Sequence, residues 1–160
     1  MYYLLIPMRI FIPLALVWII GCQPYSTNTT KFTITIQYNC LMVGFCPEVT
    51  ITSDSLSCKD QSGQKKALSR SQAQHFEQLF RSLHAPQVKK DYINHQVDDG
   101  ISLSIKTKAS EKLKTIQISN YYLPQAHQLI KAVNELLPAP KRLYYPEKML
   151  KEFNREMQKK

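Results

Sequence analysis

The sequence predicts an α+β fold: an antiparallel sheet built from two tandem ββα-like units with helices on one face, plus a C-terminal helix. Three observations predict it. KFTITIQY (31–38) and ISLSI (101–105) alternate apolar and polar residues with period two, the pattern of strands wetted on one side. Segments 69–83 and 124–137 carry apolar residues at three- and four-residue spacing, the pattern of amphipathic helices. The elements run β-β-(β)-α-(β)-β-β-α-α, which segregates helices to one side of a sheet.

Taken in order, the first strand is 31–38, with Phe32, Ile34 and Ile36 on one face and Thr33, Thr35 and Gln37 on the other. The loop NCLMVGFCP leads to a second strand, EVTITS (48–53), with Val49 and Ile51 inward. Asp54-Ser55 marks a turn, Leu56 to Lys59 reads as a short strand, and DQSGQKK reads as a loop. Ser69 precedes Gln72 by three residues, a capping box in which each side chain satisfies an orphan backbone N–H. Leu68 and Ala73 are spaced as a hydrophobic staple. The helix that follows carries a stripe of Ala73, Phe76, Leu79, Phe80 and Leu83, and His84-Ala85-Pro86 ends it.

Tyr92 to Val97 reads as a strand leading to the turn Asp98-Asp99-Gly100. Ile101, Leu103 and Ile105 alternate in the next strand, KASEK reads as a hairpin loop, and Thr115 to Ser119 returns with Ile116 and Ile118 inward. Pro124 suits the first turn of the second helix, whose stripe is Ala126, Leu129, Ile130, Val133, Leu136 and Leu137; Pro138 and Pro140 stop it. After a Pro-rich hinge, Pro146 opens a third helix with Met149, Leu150, Phe153 and Met157 on its apolar face. Glu147–Lys151 and Glu156–Lys160 are spaced for i, i+4 ion pairs. This third helix is expected to dock on its own domain.

The N-terminal segment is different in kind. Ile10 to Ile20, IFIPLALVWII, holds no charge and follows Arg9. Eleven residues are too few for a membrane span, which needs about 20, and match a signal-peptide core of about 7–15. Ile19-Ile20-Gly21-Cys22 then resembles the lipobox of bacterial lipoproteins, an aliphatic residue and a small residue before an obligatory Cys. The resemblance implies cleavage at Gly21–Cys22 and acylation of Cys22, with Ile19 standing where Leu is commonest. Two or three acyl chains anchor a protein stably without spanning the bilayer. Gln23 after the Cys implies delivery to the outer membrane, facing the periplasm. Met8-Arg9 would open a more orthodox leader than MYYLLIP, so translation is expected to begin at Met8.

On this reading the chain divides into a signal peptide (1–21), a polar tether (22–30, QPYSTNTT after the Cys), an α+β domain (31–137) and a hinge with the C-terminal helix (138–160). Loss of the leader leaves 20 basic and 12 acidic residues, a net charge of +8. The charges are spread and form no dense block, as on a solvated basic face. The envelope address argues against nucleic acid as the partner; a membrane surface, an envelope protein or a cell-wall component is expected instead.

Cys22 belongs to the anchor, so Cys40, Cys46 and Cys58 remain in a compartment where disulfides persist. Three is odd, which leaves one thiol over or pairs it between chains. Cys40 and Cys46 are the closest in sequence, and closing that ring is worth roughly 2–3 kcal/mol in chain entropy. Pairing of either with Cys58 stays open. The spacings C-x₅-C and C-x₁₁-C fit zinc sites poorly, and no metal or other cofactor is expected.

The stretch from Cys40 through Gly44, Cys46 and Pro47 to Asp54 resembles a group of small bacterial domains of unknown function, often found in lipoproteins, with a Cys…Gly-x-Cys-Pro signature. Ser55 stands where Gly follows Asp in that pattern, and the gap from Cys40 to Gly44 is longer. The resemblance implies a compact α+β domain and a Cys40–Cys46 disulfide; with that pair closed, the odd count would make Cys58 the candidate leftover thiol. It implies no activity.

No motif assembles catalytic chemistry. His75, His84, His95 and His127 form no H-E-x-x-H or H-x₃-H pattern. His75 and His127 fall beside helical apolar stripes, where a packed imidazole is the ordinary case. Cys58 beside Lys59 is the one candidate thiol nucleophile. Asp98-Asp99 resembles a carboxylate pair but precedes Gly100 and reads as a turn, and Glu77 and Glu111 have no evident partner. Tyr121-Tyr122 and Tyr144-Tyr145 suit either core packing with a hydroxyl at the rim or recognition of glycans and protein surfaces. The functional expectation is a membrane-anchored envelope lipoprotein with a non-catalytic binding or accessory domain. The alternative is an envelope enzyme using Cys58 or a histidine.

Overall fold

A computed structural model describes residues 31–38, 48–59, 65–97 and 100–159. They form an α+β fold of seven strands, three α-helices and one short 3₁₀ turn. The strands are β1 (Phe32–Tyr38), β2 (Glu48–Thr52), β3 (Ser55–Cys58), β4 (Lys65–Ala67), β5 (Asp91–Ile93), β6 (Ser102–Ala109) and β7 (Lys112–Ser119). The helices are α1 (Arg70–Leu83), α2 (Pro124–Leu136) and α3 (Glu147–Met157).

One sheet holds all seven strands in the order β4-β3-β2-β1-β6-β7-β5. The strands before α1 fill one half and those after it the other, and β1 meets β6 at the seam, from Phe32 opposite Ala109 to Tyr38 opposite Leu103. The expectation of a wholly antiparallel sheet needs one correction: β5 pairs with β7 in parallel, Tyr92 beside Ile118. The strand expected over 92–97 is confined to Asp91–Ile93 because the chain leaves the sheet at Asn94, whose N–H reaches Ser119 O at 2.9 Å. A second correction is β4, which forms where a loop was expected. The β6–β7 hairpin is also tighter than KASEK implied. Ala109 pairs with Lys112, leaving Ser110-Glu111 as the turn, and Ser110 takes the positive φ (52°) that a two-residue hairpin demands.

Period two decides which face is buried. Ile34, Ile36, Val49, Ile51, Leu103, Ile105, Ile116 and Ile118 all point to one side and join Phe76, Leu79, Phe80 and Leu83 of α1 and Ala126, Leu129, Ile130 and Val133 of α2 in one core. Phe80 stacks on Phe32 with ring centroids 5.3 Å apart, which fastens α1 to β1. The other face presents Thr33, Thr35, Gln37, Thr50, Ser57, Lys106, Thr115 and Gln117 in register.

The helix ends follow the expected chemistry. Ser69 Oγ accepts from Gln72 N at 3.3 Å and Gln72 Oε1 accepts from Ser69 N at 2.8 Å, a complete capping box. The carbonyl ends are held from the sheet: Lys114 Nζ donates to Leu83 O and Val88 O, both at 2.8 Å, and Lys66 Nζ donates to Leu136 O at 3.3 Å. A lysine at a helix C-terminus meets both orphan carbonyls and the negative end of the dipole.

Gly100 is fixed by close approach. A Cβ there would fall 1.8 Å from Asn120 Oδ1. Asn120 is buried, takes φ of 51°, accepts from Ile101 N at 2.9 Å and donates to Val97 O at 3.1 Å. It ties the segment after β5 to the end of β7.

Candidate functional site

Besides the Thr52–Asp54–Ser55 turn between β2 and β3, polar side chains of the described residues gather at two helix ends. The first lies where α3 meets the entry to α2. Glu147 Oε1 accepts from Tyr122 Oη at 3.3 Å and from Lys151 Nζ at 2.5 Å, and Glu147 Oε2 lies 3.4 Å from His127 Nε2. Lys151 also stands over the Tyr122 ring, 4.8 Å from its centroid. Tyr122, His127 and Tyr145 form a triangle of rings with centroids 5.7–6.3 Å apart. The lysine bond first, then the charge of His127 and Lys151, hold the Glu147 carboxyl below its ordinary range. Burial pushes the Tyr145 hydroxyl up to about 12, so it stays protonated.

These groups fasten the C-terminal segment to the domain. Tyr145 Oη accepts from Leu123 N at 3.0 Å and donates to Tyr121 O at 3.2 Å. Asn154 brackets the Tyr122 backbone, accepting from its N–H at 3.1 Å and donating to its carbonyl at 3.0 Å. Asn134 does the same to Leu143, at 2.7 and 2.8 Å. Tyr38 Oη donates to Tyr144 O at 2.7 Å. The third helix therefore docks at home, as its apolar face implied. Of the four paired tyrosines, Tyr121, Tyr122 and Tyr145 are half-buried; Tyr144 is 67% exposed.

The second place is under the end of α1. His84 caps that helix, stacks beside Phe80 at 4.5 Å, and puts Nε2 2.8 Å from Thr107 Oγ1. The Thr107 hydroxyl donates onward to Lys114 O at 3.3 Å, so His84 Nε2 is the donor in the shared bond. Desolvation, then the nearby Lys114 charge, hold the His84 pKa below the 6.5 ordinary for an imidazole. The folded state resists a proton that the unfolded chain accepts. The stability this group contributes is full above pH 6.5 and is lost as pH falls through the depressed folded pKa. Urea midpoints across pH 5–7 are expected to fall with acid, and His84→Gln to flatten that part of the slope; an unchanged slope in the variant would exclude His84 as its source.

The other residues singled out by sequence are dispersed. Cys22, Cys40 and Cys46 lie outside the described residues, as does the Asp98-Asp99 pair. Cys58 sits on β3 opposite Val49 and is 6% exposed, a core position where a nucleophile would not meet substrate. His75 and His95 are exposed, one on α1 and the other after β5. Glu77 has a partner after all, Arg81 at 2.7 Å one helical turn on. Glu156–Lys160 cannot be followed, because residue 160 is outside the described set. Among the described residues no group of three or more His, Cys, Asp or Glu could hold a metal ion, and no helix is long and apolar enough to cross a membrane.

No protein-family model matches the chain, and no curated protein or solved structure matches it.

Proposed function

We propose that this chain is a bacterial envelope lipoprotein. Acyl groups on Cys22 hold it at the membrane, facing the periplasm, and the α+β fold is a non-catalytic binding or accessory module. The observation that carries the reading is Ile19-Ile20-Gly21-Cys22 at the end of an eleven-residue uncharged run preceded by Arg9. Two features of the fold support it. At α2–α3 the Tyr122, His127 and Lys151 side chains are engaged with the Glu147 carboxylate, and the remaining polar groups there and under α1 clamp backbone or meet helix ends. The hydroxyl- and amide-rich sheet face opposite the helices is a broad polar surface of the kind that meets glycans or proteins.

The test is the intact mass of the membrane-extracted protein after alkylation without reduction. A chain starting at Cys22, heavier by two or three acyl groups, is the expected result. A single alkyl label would add one disulfide among Cys40, Cys46 and Cys58. A chain without acyl groups would overturn the anchor.

A further inference from the structure

We propose that the tip of the β6–β7 hairpin is a docking site for anionic lipid headgroups, which lays this end of the sheet against the membrane. The proposal rests on the lipid anchor for its setting and on the hairpin for its chemistry. At the tip, Lys108 of β6 stands directly opposite Leu113 of β7, and Lys106 lies two pairs further in on the same face, opposite Thr115. Lys112 closes the hairpin against Ala109. Lys31 joins them, because β1 begins beside the tip with Phe32 opposite Ala109. All four lysines are exposed, and Glu111 is the one acid in the turn between the strands. Leu113 is 68% exposed, an apolar side chain beside a lysine at a hairpin end.

The pattern fits a lipid surface by charge and by place. Lysines near an anionic leaflet are drawn to its phosphates, while an exposed leucine enters the boundary between headgroups and acyl chains. The same end of the sheet receives the chain from Cys22. Nine residues separate Cys22 from Phe32, a reach of roughly 30–35 Å when extended, so the anchor can bring the tip to the bilayer. α3 is clamped at the other end of β7, beyond Ser119, and its Lys148, with Lys159 just past its end, serves as internal control.

The experiment is lysine acetylation footprinting of the full chain purified from membranes. The chain is reconstituted in phosphatidylglycerol–phosphatidylcholine vesicles and, separately, in pure phosphatidylcholine vesicles, and each lysine is read by mass spectrometry. Lys106, Lys108 and Lys112 are expected to be acetylated about fivefold more slowly on the anionic vesicles, the protection fading at high salt. Lys148 and Lys159 should keep the same rate on both. Leu113→Ser is expected to reduce the protection while leaving the fold intact, checked by circular dichroism. Equal rates at the hairpin on the two lipids, or equal protection of Lys148 and Lys159, would overturn the proposal; the second result would mean a general attraction of a basic protein. Intact mass of the same sample reports the anchor separately. A chain without acyl groups, added to preformed vesicles, still yields the hairpin rates. Failure of the anchor and failure of the docking site are therefore distinct results.

Discussion

Phe76→Ala is expected to lower the unfolding free energy by about 3–5 kcal/mol, the usual range for deleting a buried aromatic side chain. Phe76 is 1% exposed and the largest of the fully buried side chains. It stands on the inner face of α1 with Leu79, Phe80 and Leu83, in the core shared by both halves of the sheet. Alanine there loses the transfer free energy of the ring and leaves a cavity in a core rich in stiff β-branched strand residues, Ile34, Ile36 and Ile105 among them, which collapse poorly to fill it. A domain of this size has about 5–15 kcal/mol in total, so roughly a fifth or more is at stake. Urea unfolding followed by circular dichroism would show a lower midpoint with an unchanged slope. His75→Ala, one residue away but exposed, is expected to change stability by less than about 0.5 kcal/mol. Equal effects at the two positions would mean that α1 is not seated on the sheet by this face.

The parts of the fold that were legible are those in which local pattern and tertiary role agree. β1, β2, β6 and β7 alternate apolar and polar residues because one face is covered by helices and the other is not. α1 was visible from Ser69 and Gln72 because a capping box is a local device, complete within four residues. β4 was not legible. Lys65-Lys66-Ala67 is an edge strand with every side chain exposed, so it carries no apolar period, and its lysines suit an edge that must not recruit another strand. The parallel pairing of β5 was equally hidden, since three residues flanked by loops do not encode their neighbour.

The candidate site divides in the same way. The sequence points to Tyr122, Tyr145 and His127 as residue types, but their roles depend on contacts between residues roughly twenty positions apart, such as Tyr145 Oη with Leu123 N. The bidentate hold of Asn154 on Tyr122 and of Asn134 on Leu143 left no sequence trace, because an asparagine on a helix face is unremarkable until the backbone it clamps is known. Lys114 did leave one. It shares a face with Ile116 and Ile118, and a charge on an apolar strand face must find partners; Leu83 O and Val88 O are those partners. Cys58 shows the converse. Beside Lys59 it read as a candidate reactive thiol, but strand parity puts it on the inner face with Ile51 and Leu56.

Leu150→Ala is expected to undock the C-terminal helix while leaving the sheet folded. Leu150 is 1% exposed, as deeply buried as Phe76, yet it stands apart from the contiguous core of sheet, α1 and α2. Its packing free energy, about 2–5 kcal/mol for a buried leucine cut to alanine, is therefore spent on holding α3 and not on the global fold. The polar clamps are not enough to replace it. Asn154 on Tyr122 and Tyr145 on Leu123 each return only roughly 1 kcal/mol net. Amide hydrogen exchange separates the two kinds of loss. Amides of α3 in Leu150→Ala should exchange at rates close to an unstructured chain, while those of β1 and β6 keep the protection of the unaltered protein. Tyr122 and Tyr145, half-buried in the docked state, should become more solvent-exposed at the same time, shifting the near-ultraviolet dichroism. If β1 and β6 lose protection together with α3, then α3 is part of one cooperative unit with the sheet, and the C-terminal segment is a structural wall of the domain. If α3 alone opens, that helix is a strap held by Leu150 and a few polar clamps, which a partner competing for its apolar face could lift.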